Sequence, residues 1–358
     1  MVPVEPYRRI LLVRLSHLGD VVHALPVYRA LRERFPEARL AWAIQAEFAD
    51  LIADLPGLDR TILFDRHGGI RAWSRLRRAL RDFSADWAID AQGNLKSASV
   101  TLLSRAGRRS GLHIDDWTER LGAFVINDRA RRRAPNAAHH ALDRALHLAR
   151  HVGEFDELWT PTEWLQLSPE MVAHGEARWD SFFATGTPMP VVLQLATPGD
   201  VRAWPVESQR ALLRGLAERG RPVLALSGPG EEALGRDFAA EFAGEPRVRH
   251  WVGQRGQREL AAFFRAAATH GALFVTCDSG PMHLAAAEGL RVVALAGPQD
   301  PARTGPWPLE GPSSPHRVVR ATPLPECAPC LDRKCAHDTR RVCMEDLSAD
   351  QVLRILDA

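Results

Sequence analysis

The stretch "ILLVRLSHLGDVVHALP", Ile10 to Pro26, joins a short apolar run, a polar loop and a second apolar run with helical spacing. The first run, Ile10–Leu15, follows Arg9 and is mostly apolar, which is typical of a buried strand. The second, Val21–Arg34, has apolar residues three and four positions apart, which predicts an amphipathic helix. A strand that leads directly into a helix is half of a βαβ unit and therefore predicts a parallel sheet.

The same alternation of strand and helix runs through both halves of the chain. In the first half the strand candidates are Ile10–Leu15, Leu40–Gln45, Thr61–Phe64 and Asp86–Ala91, with helices at Val21–Arg34, Phe48–Leu55, Ile70–Phe83 and Leu95–Arg105. In the second half they are Pro190–Ala196, Arg221–Ser227, Val248–Val252, Ala272–Cys277 and Arg291–Gly297, with helices at Val206–Glu218, Glu231–Phe242, Gln257–Ala268 and Pro281–Glu288. We predict an α/β fold with doubly wound domains at residues 1–170 and 190–325, a linker at 171–189 and a tail at 326–358.

Composition narrows the class of protein. The 358 residues are 46% hydrophobic, which is enough for two buried cores. The net charge is only +2, so the chain has no overall basic character and nucleic acid is not a predicted partner. Met1 to Arg9 contains two prolines and leads into a short strand, so it predicts neither a signal peptide nor a membrane span. The predicted location is the cytoplasm.

Asp20 is the carboxylate in the loop after the first predicted strand. In open α/β sheets, ligands bind at the carboxyl ends of the strands, so such loops are where chemistry is expected. One interpretation is that Asp20 caps the following helix by accepting its free N–H groups. The other is that it is a general base that accepts a proton from a substrate hydroxyl.

The stretch "TCDSGPMHLAAAEG", Thr276 to Gly289, places Asp278, Ser279, Gly280 and His283 between a strand and a helix that begins at a proline. The free N–H groups at a helix N-terminus favour phosphate, and a serine hydroxyl adds a donor. An ordinary helix cap is the alternative. No Walker loop and no G-x-G-x-x-G fingerprint is present, which argues against a nicotinamide-dependent oxidoreductase.

Two further loops carry polar side chains at strand ends. "ATPGDVRAWP", Ala196 to Pro205, presents Thr197 and Arg202, and an arginine there can pair with a diphosphate. "DAQGNLKSA", Asp90 to Ala98, includes Lys96 and is explained either by a buried loop network or by contact with a sugar acceptor.

Four of the five cysteines fall near the end of the chain, in a C-x2-C-x4-C-x7-C arrangement. In a reducing compartment such a group indicates a metal site before it indicates disulfides, although paired disulfides are the alternative. We predict a structural zinc ion or an iron-sulfur cluster at Cys327, Cys330, Cys335 and Cys343.

Taken together, these motifs resemble glycosyltransferase family 9, the ADP-heptose:lipopolysaccharide heptosyltransferases, over essentially the whole chain. The matching pieces are "LLVRLSHLGDVVHALP", "AIDAQGNLKSA", "DDWTER", "RAWP", "CDSGPMHLAAA" and "AGPQDP". "AIDAQGNLKSA" in particular is similar to the heptosyltransferase I branch. The resemblance implies a GT-B fold, in which two Rossmann-like domains face each other across a cleft, the first binding the acceptor and the second the nucleotide sugar.

The resemblance also implies a role for single residues. Asp20 falls on the catalytic aspartate of the family, and Arg202 stands where the family has a phosphate-pairing lysine. A ribose-binding glutamate falls at Glu231 or Glu232. The implied donor-binding set is Thr197, Arg202, Glu231, Asp278, Ser279, Gly280 and His283, and the implied acceptor-binding set is Ser16, Lys96 and Arg120.

The predicted function is inverting, metal-independent transfer of heptose from ADP-L-glycero-D-manno-heptose to a Kdo or heptose residue of the lipopolysaccharide inner core. The expected partners are ADP-heptose, the core precursor and, through peripheral contact, the inner face of the cytoplasmic membrane; no catalytic cofactor is expected. The alternatives are a family 9 transferase with another nucleotide sugar or a non-lipid acceptor, and a catalytically idle nucleotide-sugar-binding protein.

Overall fold

The computed structural model describes residues 7–134, 140–154, 164–184, 186–196, 199–309, 314–331, 334–337 and 341–357. The chain packs as two compact units, Met1–Leu167 and Ser168–Ala358. Each unit is built on one six-stranded sheet. All strand pairs in both sheets are parallel among the residues described. The prediction of an α/β protein with two doubly wound, Rossmann-like units is confirmed.

The first unit contains six strands and four α-helices in its described part. The strands are β1 (Arg9–Val13), β2 (Arg39–Gln45), β3 (Leu58–Phe64), β4 (Trp87–Asp90), β5 (Arg108–Gly111) and β6 (Asp128–Arg129). The helices are α1 (Leu18–Arg34), α2 (Gly69–Phe83), α3 (Leu95–Leu103) and α4 (Ala141–Gly153), with 3-10 helices at Ala46–Ile52, Ile114–Asp116 and Arg120–Val125. The helix predicted at Phe48–Leu55 is thus a 3-10 helix that begins two residues earlier.

The sheet of the first unit has the order β3-β2-β1-β4-β5-β6. The strand order reverses between β1 and β4, which makes this the topological switch point where ligands bind in such sheets. Val13 is paired in register with Asp90, so the two strands end side by side. The loops after β1 and β4 therefore leave the sheet together at its carboxyl edge.

The second unit has the same plan. Its strands are β7 (Val191–Gln194), β8 (Val223–Leu226), β9 (Val248–Trp251), β10 (Leu273–Cys277), β11 (Arg291–Leu295) and β12 (Arg317–Val319). Its helices are α5 (Pro169–Asp180), α6 (Val206–Glu218), α7 (Glu232–Glu241), α8 (Gln257–Thr269), α9 (Gly280–Ala287), α10 (Pro301–Thr304), α11 (Val342–Glu345) and α12 (Ala349–Asp357). The sheet order is β12-β11-β10-β7-β8-β9, so its switch point lies between β7 and β10.

The stretch 171–189, predicted as a linker, differs in the structure because most of α5 lies within it. This helix packs against α8 of the second unit. A Cβ atom on Gly175 would lie 2.3 Å from the carbonyl oxygen of Ala262, so only glycine allows the helices to approach this closely. Trp179 is buried and its ring stacks on that of His270 at 5.2 Å between centroids. The helix is therefore part of the second unit's core.

The tail, predicted as a separate segment at 326–358, also belongs to the second unit. Its last helix, α12, packs against α6 and places Val352, Leu353 and Leu356 in the core. The indole N–H of Trp204 donates to the carbonyl oxygen of Leu347 at 2.8 Å. Burial of three aliphatic side chains contributes about 1.5–3 kcal/mol each, so the tail helps to hold this unit together.

Candidate active site

The carboxyl end of β1 carries an ion pair. The guanidinium Nη2 of Arg14 lies 2.5 Å from Oδ2 of Asp20, whose side chain is 39% exposed. Burial by itself would raise the pKa of the Asp20 carboxyl, but Arg14, His17 and His23 together hold that pKa well below its usual range. Asp20 is therefore an ionised, partly accessible carboxylate at neutral pH.

Asp20 is not the cap of α1. The N-cap position is occupied by His17, which makes no side-chain cap hydrogen bond, and Asp20 is the third residue of the helix. His17 has a φ angle of 64°, in the left-handed region that non-glycine residues rarely adopt. This backbone conformation turns the chain from the strand into the helix. The turn places the Asp20 carboxylate in contact with the Arg14 guanidinium. The cap interpretation is thus excluded, and the role of general base stays a prediction.

The loop after β4 is held by a buried network. Asp90 is fully buried and accepts the N–H groups of Gln92 and Gly93, each at 2.9 Å. Burial raises the pKa of Asp90. Oε1 of Gln92 accepts the N–H of Leu15 at 2.7 Å, and Nε2 of Gln92 lies 3.5 Å from the hydroxyl of Ser16. The buried-network interpretation is confirmed for this loop, and the network ties it to the loop that carries Asp20.

The three predicted acceptor residues lie on neighbouring segments but differ in exposure. Ser16 is only 8% exposed, in the loop after β1. Lys96 is exposed in the first turn of α3, and the side chain of Arg120 is 69% exposed. The N–H of Leu95 donates to Oε2 of Glu119 at 2.8 Å, which brings the first turn of α3 next to the segment of Arg120. Their contact with an acceptor stays a prediction.

Two arginines close to Asp20 were missed from the sequence. Arg14 lies within the opening motif but was not assigned a role. Arg144 lies on α4, which packs against α1. Burial lowers the pKa of Arg144, while the nearby carboxylates of Asp116 and Asp20 act in the opposite direction. No sequence motif marks α4, so only the packing of the two helices reveals this cation.

The switch point of the second unit opens into a cavity of about 320 Å³. Arg202 lies in its wall and forms a two-point ion pair with Asp200, Nε to Oδ1 at 2.9 Å and Nη2 to Oδ2 at 2.6 Å. This pairing raises the pKa of Arg202 and lowers that of Asp200. The lining residues are Gln194, Leu195, Ala196, Gly199, Asp200, Arg202, Ala203, Glu231, Thr276, Cys277, Asp278 and Ser279.

Gln194, at the end of β7, organises the hydroxyl groups of the cavity. Its Oε1 accepts from the hydroxyl of Thr276 at 2.6 Å and from that of Ser279 at 3.0 Å. Ser279 is the N-cap residue of α9, yet its side chain makes no cap hydrogen bond. Its hydroxyl therefore faces Gln194 rather than the helix. No motif points to Gln194, because a glutamine at the end of an apolar strand is not typical of any binding pattern.

The remaining predicted donor residues divide into three groups. Glu231 lines the cavity and burial raises its pKa, whereas Glu232 pairs with Arg255 and Arg236, so Glu231 is the better placed of the two. Asp278 lines the cavity, accepts from the Thr304 hydroxyl at 3.1 Å and lies 3.9 Å from Nε2 of His283. Gly280 and His283 belong to α9 and are not in the lining; Thr197 lies outside the described residues.

The four clustered cysteines line a separate cavity of about 30 Å³, together with Val201 and Pro298. None of them is in a disulfide. Burial and the three neighbouring thiols raise the pKa of Cys343 to about 11. No group of three or more metal-ligating side chains is already arranged around one point in the part of the chain that the structure describes. The cysteines Cys327, Cys330, Cys335 and Cys343 thus meet in space without forming a finished metal site.

Comparison with known proteins agrees with this geometry. The profile of glycosyltransferase family 9 (heptosyltransferase) matches residues 73–339. Lipopolysaccharide heptosyltransferase 1 of Pseudomonas aeruginosa is 29% identical over 345 residues, which cover 92% of this chain and 88% of that protein. Lipopolysaccharide heptosyltransferase 2 of Salmonella typhimurium is 28% identical over 309 residues, 83% and 85% of the two chains.

A solved structure extends the likeness to the fold. The E. coli heptosyltransferase WaaC with ADP superimposes with a TM-score of 0.71 at 22% identity, covering 98% of this chain and 99% of that one. This similarity confirms the predicted GT-B fold class. The family profile covers most of the chain and reaches into both units; it includes the loops at the second switch point and begins after the β1 loop of the first unit. The protein is a glycosyltransferase and belongs to family 9, the heptosyltransferases.

Proposed function

We propose that the protein is an inverting transferase that moves heptose from ADP-L-glycero-D-manno-heptose to a lipopolysaccharide inner-core acceptor. The observation that carries this proposal is the chemistry of the two switch points. One holds an ionised, accessible aspartate, and the other opens a cavity with an arginine and hydroxyl groups suited to a diphosphate. The curated relatives named above are heptosyltransferases of lipopolysaccharide synthesis, which supports the choice of sugar.

The second unit binds the donor in this proposal. Arg202 and the hydroxyl of Ser279 pair with the diphosphate, and the free N–H groups at the start of α9 add to the attraction. Glu231 binds the ribose through its carboxylate. The rest of the predicted donor-binding set shapes the loop and the first turns of α9; these residues are Asp278, Gly280 and His283. The donor-binding role of Thr197 stays a prediction from sequence.

The first unit supplies the base. The oxygen of the acceptor hydroxyl attacks the anomeric carbon of the heptose, while a carboxylate oxygen of Asp20 accepts the hydroxyl proton. The bond from this carbon to the diphosphate breaks on the opposite face, and its electron pair leaves with ADP. The configuration at the anomeric carbon is inverted, and side chains and backbone groups carry out the transfer without a catalytic metal.

The low pKa of Asp20 fits a particular timing of proton transfer. A weakly basic carboxylate cannot deprotonate a free alcohol, whose pKa is far higher. As the new C–O bond forms, the hydroxyl becomes strongly acidic and even a weak base can accept its proton. Arg14 keeps Asp20 ionised and oriented until that moment. Proton transfer is therefore late and concerted with bond formation.

The acceptor is bound by the loops of the first unit in this proposal. Ser16 lies in the loop after β1, four residues before Asp20, whereas the exposed side chains of Lys96 and Arg120 provide positive charge for an acidic sugar. The relatives named heptosyltransferase 1 and 2 are almost equally similar to this chain, at 29% and 28% identity. Because identity does not choose between them, both a Kdo and a heptose acceptor are included in the test. The alternatives are transfer of another nucleotide-linked sugar, a non-lipid acceptor, or nucleotide-sugar binding without turnover.

The place of action follows from the acceptor. None of the helices among the described residues is long and apolar enough to cross a membrane. We propose that the enzyme acts in the cytoplasm and contacts the inner face of the cytoplasmic membrane peripherally, where a lipid-linked acceptor would be presented.

The cysteine cavity is proposed to hold a structural metal, zinc or an iron-sulfur cluster. Four thiols in one small cavity are a donor set that suits either, although among the described residues they are not already arranged around one point. Because the pKa of Cys343 is about 11, binding must release protons at neutral pH. Titration of the reduced protein with Zn²⁺ should therefore show stoichiometric proton release, and its absence would show that the four thiols do not bind the metal.

The proposed function is tested by incubating the purified protein with ADP-heptose and other nucleotide-linked sugars, together with Kdo-terminated and heptose-terminated acceptors. Mass spectrometry of the acceptors should show a gain of one heptose, with ADP as the second product. Binding of ADP-heptose without any product on either acceptor would favour the idle binding protein. A product formed only from a different nucleotide sugar would favour the other family 9 alternative.

A further inference from the structure

The first unit exposes four large apolar side chains on two neighbouring segments. Leu95 and Leu102 are 45% and 54% exposed on α3, and Leu121 and Phe124 are each 73% exposed on the 3-10 helix Arg120–Val125. Single exposed apolar residues are ordinary on protein surfaces, but a group of them on one face marks an interaction site. We call these four residues the apolar patch.

Packing between the two segments brings the patch together. Leu95 and Leu102 are seven residues apart and therefore lie on one face of α3, with Ala98 between them. A Cβ atom on Gly122 would lie 3.1 Å from that of Ala98, so the 3-10 helix lies directly across this face. Leu121 and Phe124 are three residues apart and eclipse each other on a 3-10 helix. The four side chains thus surround one contact between Ala98 and Gly122.

The patch is continuous with the loops of the candidate active site. Gln92, which contacts the loop of Asp20 through Leu15, lies only three residues before Leu95. The guanidinium Nη1 of Arg14 donates to the carbonyl oxygen of Ala91 at 2.7 Å, within the same loop. A surface that binds the patch is therefore close to the place where an acceptor hydroxyl must reach Asp20.

Positive charges surround the patch. Lys96 and Arg120 are its neighbours in sequence, and Nη2 of Arg129 donates to the carbonyl oxygen of Ala123 at 2.9 Å. Arg105 is exposed just after the end of α3. Two carboxylates also lie near the patch: Glu119 accepts the N–H of Leu95, and Asp115 lies 3.7 Å from Nη2 of Arg120. Four cations against these two carboxylates leave the border of the patch net positive. Apolar side chains with a net positive border match a membrane with anionic headgroups, where the apolar groups enter the acyl boundary and the cations meet the phosphates.

We propose that the apolar patch docks the enzyme on an anionic phospholipid surface. A second copy of the chain fits less well, because a symmetric contact would bring the same cations against each other. The inference rests on the proposed function, since only a membrane-borne acceptor requires the first unit to reach lipid. It deepens that function by assigning the membrane contact to Leu95, Leu102, Leu121 and Phe124.

The test measures binding of the full-length protein to vesicles by flotation. Vesicles of phosphatidylcholine with about one third phosphatidylglycerol should carry the wild-type protein, and pure phosphatidylcholine should carry much less. The double variant Leu121→Ser/Phe124→Ser should lose at least about tenfold in binding, because two apolar side chains no longer enter the bilayer. The matched control Met189→Ser/Ile355→Ser removes two exposed apolar side chains from the second unit and should bind like the wild type.

Thermal unfolding checks that both double variants fold, and sedimentation measures their oligomeric state. Equal binding by the patch variant and the wild type, or no binding of the wild type to anionic vesicles, would overturn the proposal. A wild-type dimer that the patch variant converts to a monomer would assign the patch to a second copy instead.

Turnover separates this proposal from the proposed function. With a water-soluble acceptor that lacks acyl chains, the patch variant should transfer heptose at the wild-type rate. With the same acceptor sugar on a lipid in anionic vesicles, its rate should fall in proportion to the lost binding. Absence of turnover by the wild type on both acceptors would count against the proposed function, while the flotation result would still decide the docking surface.

Discussion

The two switch points have the same topology and differ in the side chains that their loops present. In the first unit, the loop after the central strand carries an ion pair, and the carboxylate of Asp20 is held ionised by Arg14. In the second unit, the equivalent loops also carry an ion pair, that of Arg202 with Asp200, and add hydroxyls organised by Gln194 around an open cavity. In the function proposed above, one fold provides a site for accepting a proton and a site for binding an anion, because the loops and not the sheet decide the chemistry.

The largest expected effect concerns the carboxylate of the first switch point. Asp20→Asn keeps the shape but removes the base, so kcat should fall by about 10²–10⁴-fold while the Kd for ADP-heptose stays unchanged. Turnover assays and calorimetric titration measure the two quantities. The matched control is Asp59→Asn, since Asp59 is also an ion-paired aspartate of the first unit and is 37% exposed. Near-normal turnover of Asp20→Asn would remove the contrast between the two switch points.

The second effect concerns the arginine of the other switch point. Arg202→Gln removes charge-assisted hydrogen bonds worth about 1.5–3 kcal/mol, so the affinity for ADP should fall by about 10- to 100-fold. Calorimetric titration with ADP measures the change. Arg210→Gln serves as the control, because Arg210 is paired with Glu241 and Glu207 and does not line the cavity. If both variants bind ADP like the wild type, Arg202 does not contact the diphosphate.

Gln194 tests whether the hydroxyl network acts as a unit. Gln194→Ala leaves the hydroxyls of Thr276 and Ser279 without their shared acceptor, so KM for the donor should rise by about threefold to tenfold with little change in kcat. Ser279→Ala should have a similar effect. If Gln194 acts by positioning Ser279, the double variant Gln194→Ala/Ser279→Ala should have the same KM for the donor as Ser279→Ala alone. Additive losses would show that the two side chains act independently.

The smallest effect concerns pH. Arg14→Gln removes the charge that lowers the pKa of Asp20, so the acid limb of the pH profile of kcat/KM should move to higher pH. The free energy of unfolding at neutral pH should fall by less than about 1 kcal/mol, because the pair is partly exposed.

The sign of this stability change depends on pH. A carboxyl with a lowered folded-state pKa stabilises the protein above its ordinary pKa and loses that contribution as the pH falls. The wild type and Arg14→Gln should therefore converge in acid. Denaturant unfolding at several pH values measures this, with Arg32→Gln, the partner of Asp59, as the control. A difference that grows in acid would contradict the assignment.

Sequence reasoning failed where a strand lacks apolar residues. β5, "RRSG", was not predicted because its residues are charged, small or polar. In the structure, the indole of Trp87 donates to the hydroxyl of Ser110 at 2.8 Å, and the Arg108 guanidinium lies 4.3 Å from the centroid of the Trp87 ring. These contacts come from a neighbouring strand 21 or more residues earlier. A local pattern cannot contain them.

The sequence by itself determined the alternation of strands and helices, the two parallel sheets and the loops where chemistry is expected. Apolar periodicity and helix-start residues are local properties, and they decide which segments form. Only the tertiary structure decided that Arg14 pairs with Asp20, that Gln194 binds Ser279, and that α5 and the tail complete the second unit. Those contacts form between side chains of different secondary-structure elements. They depend on how the elements pack in space, which local sequence patterns do not encode.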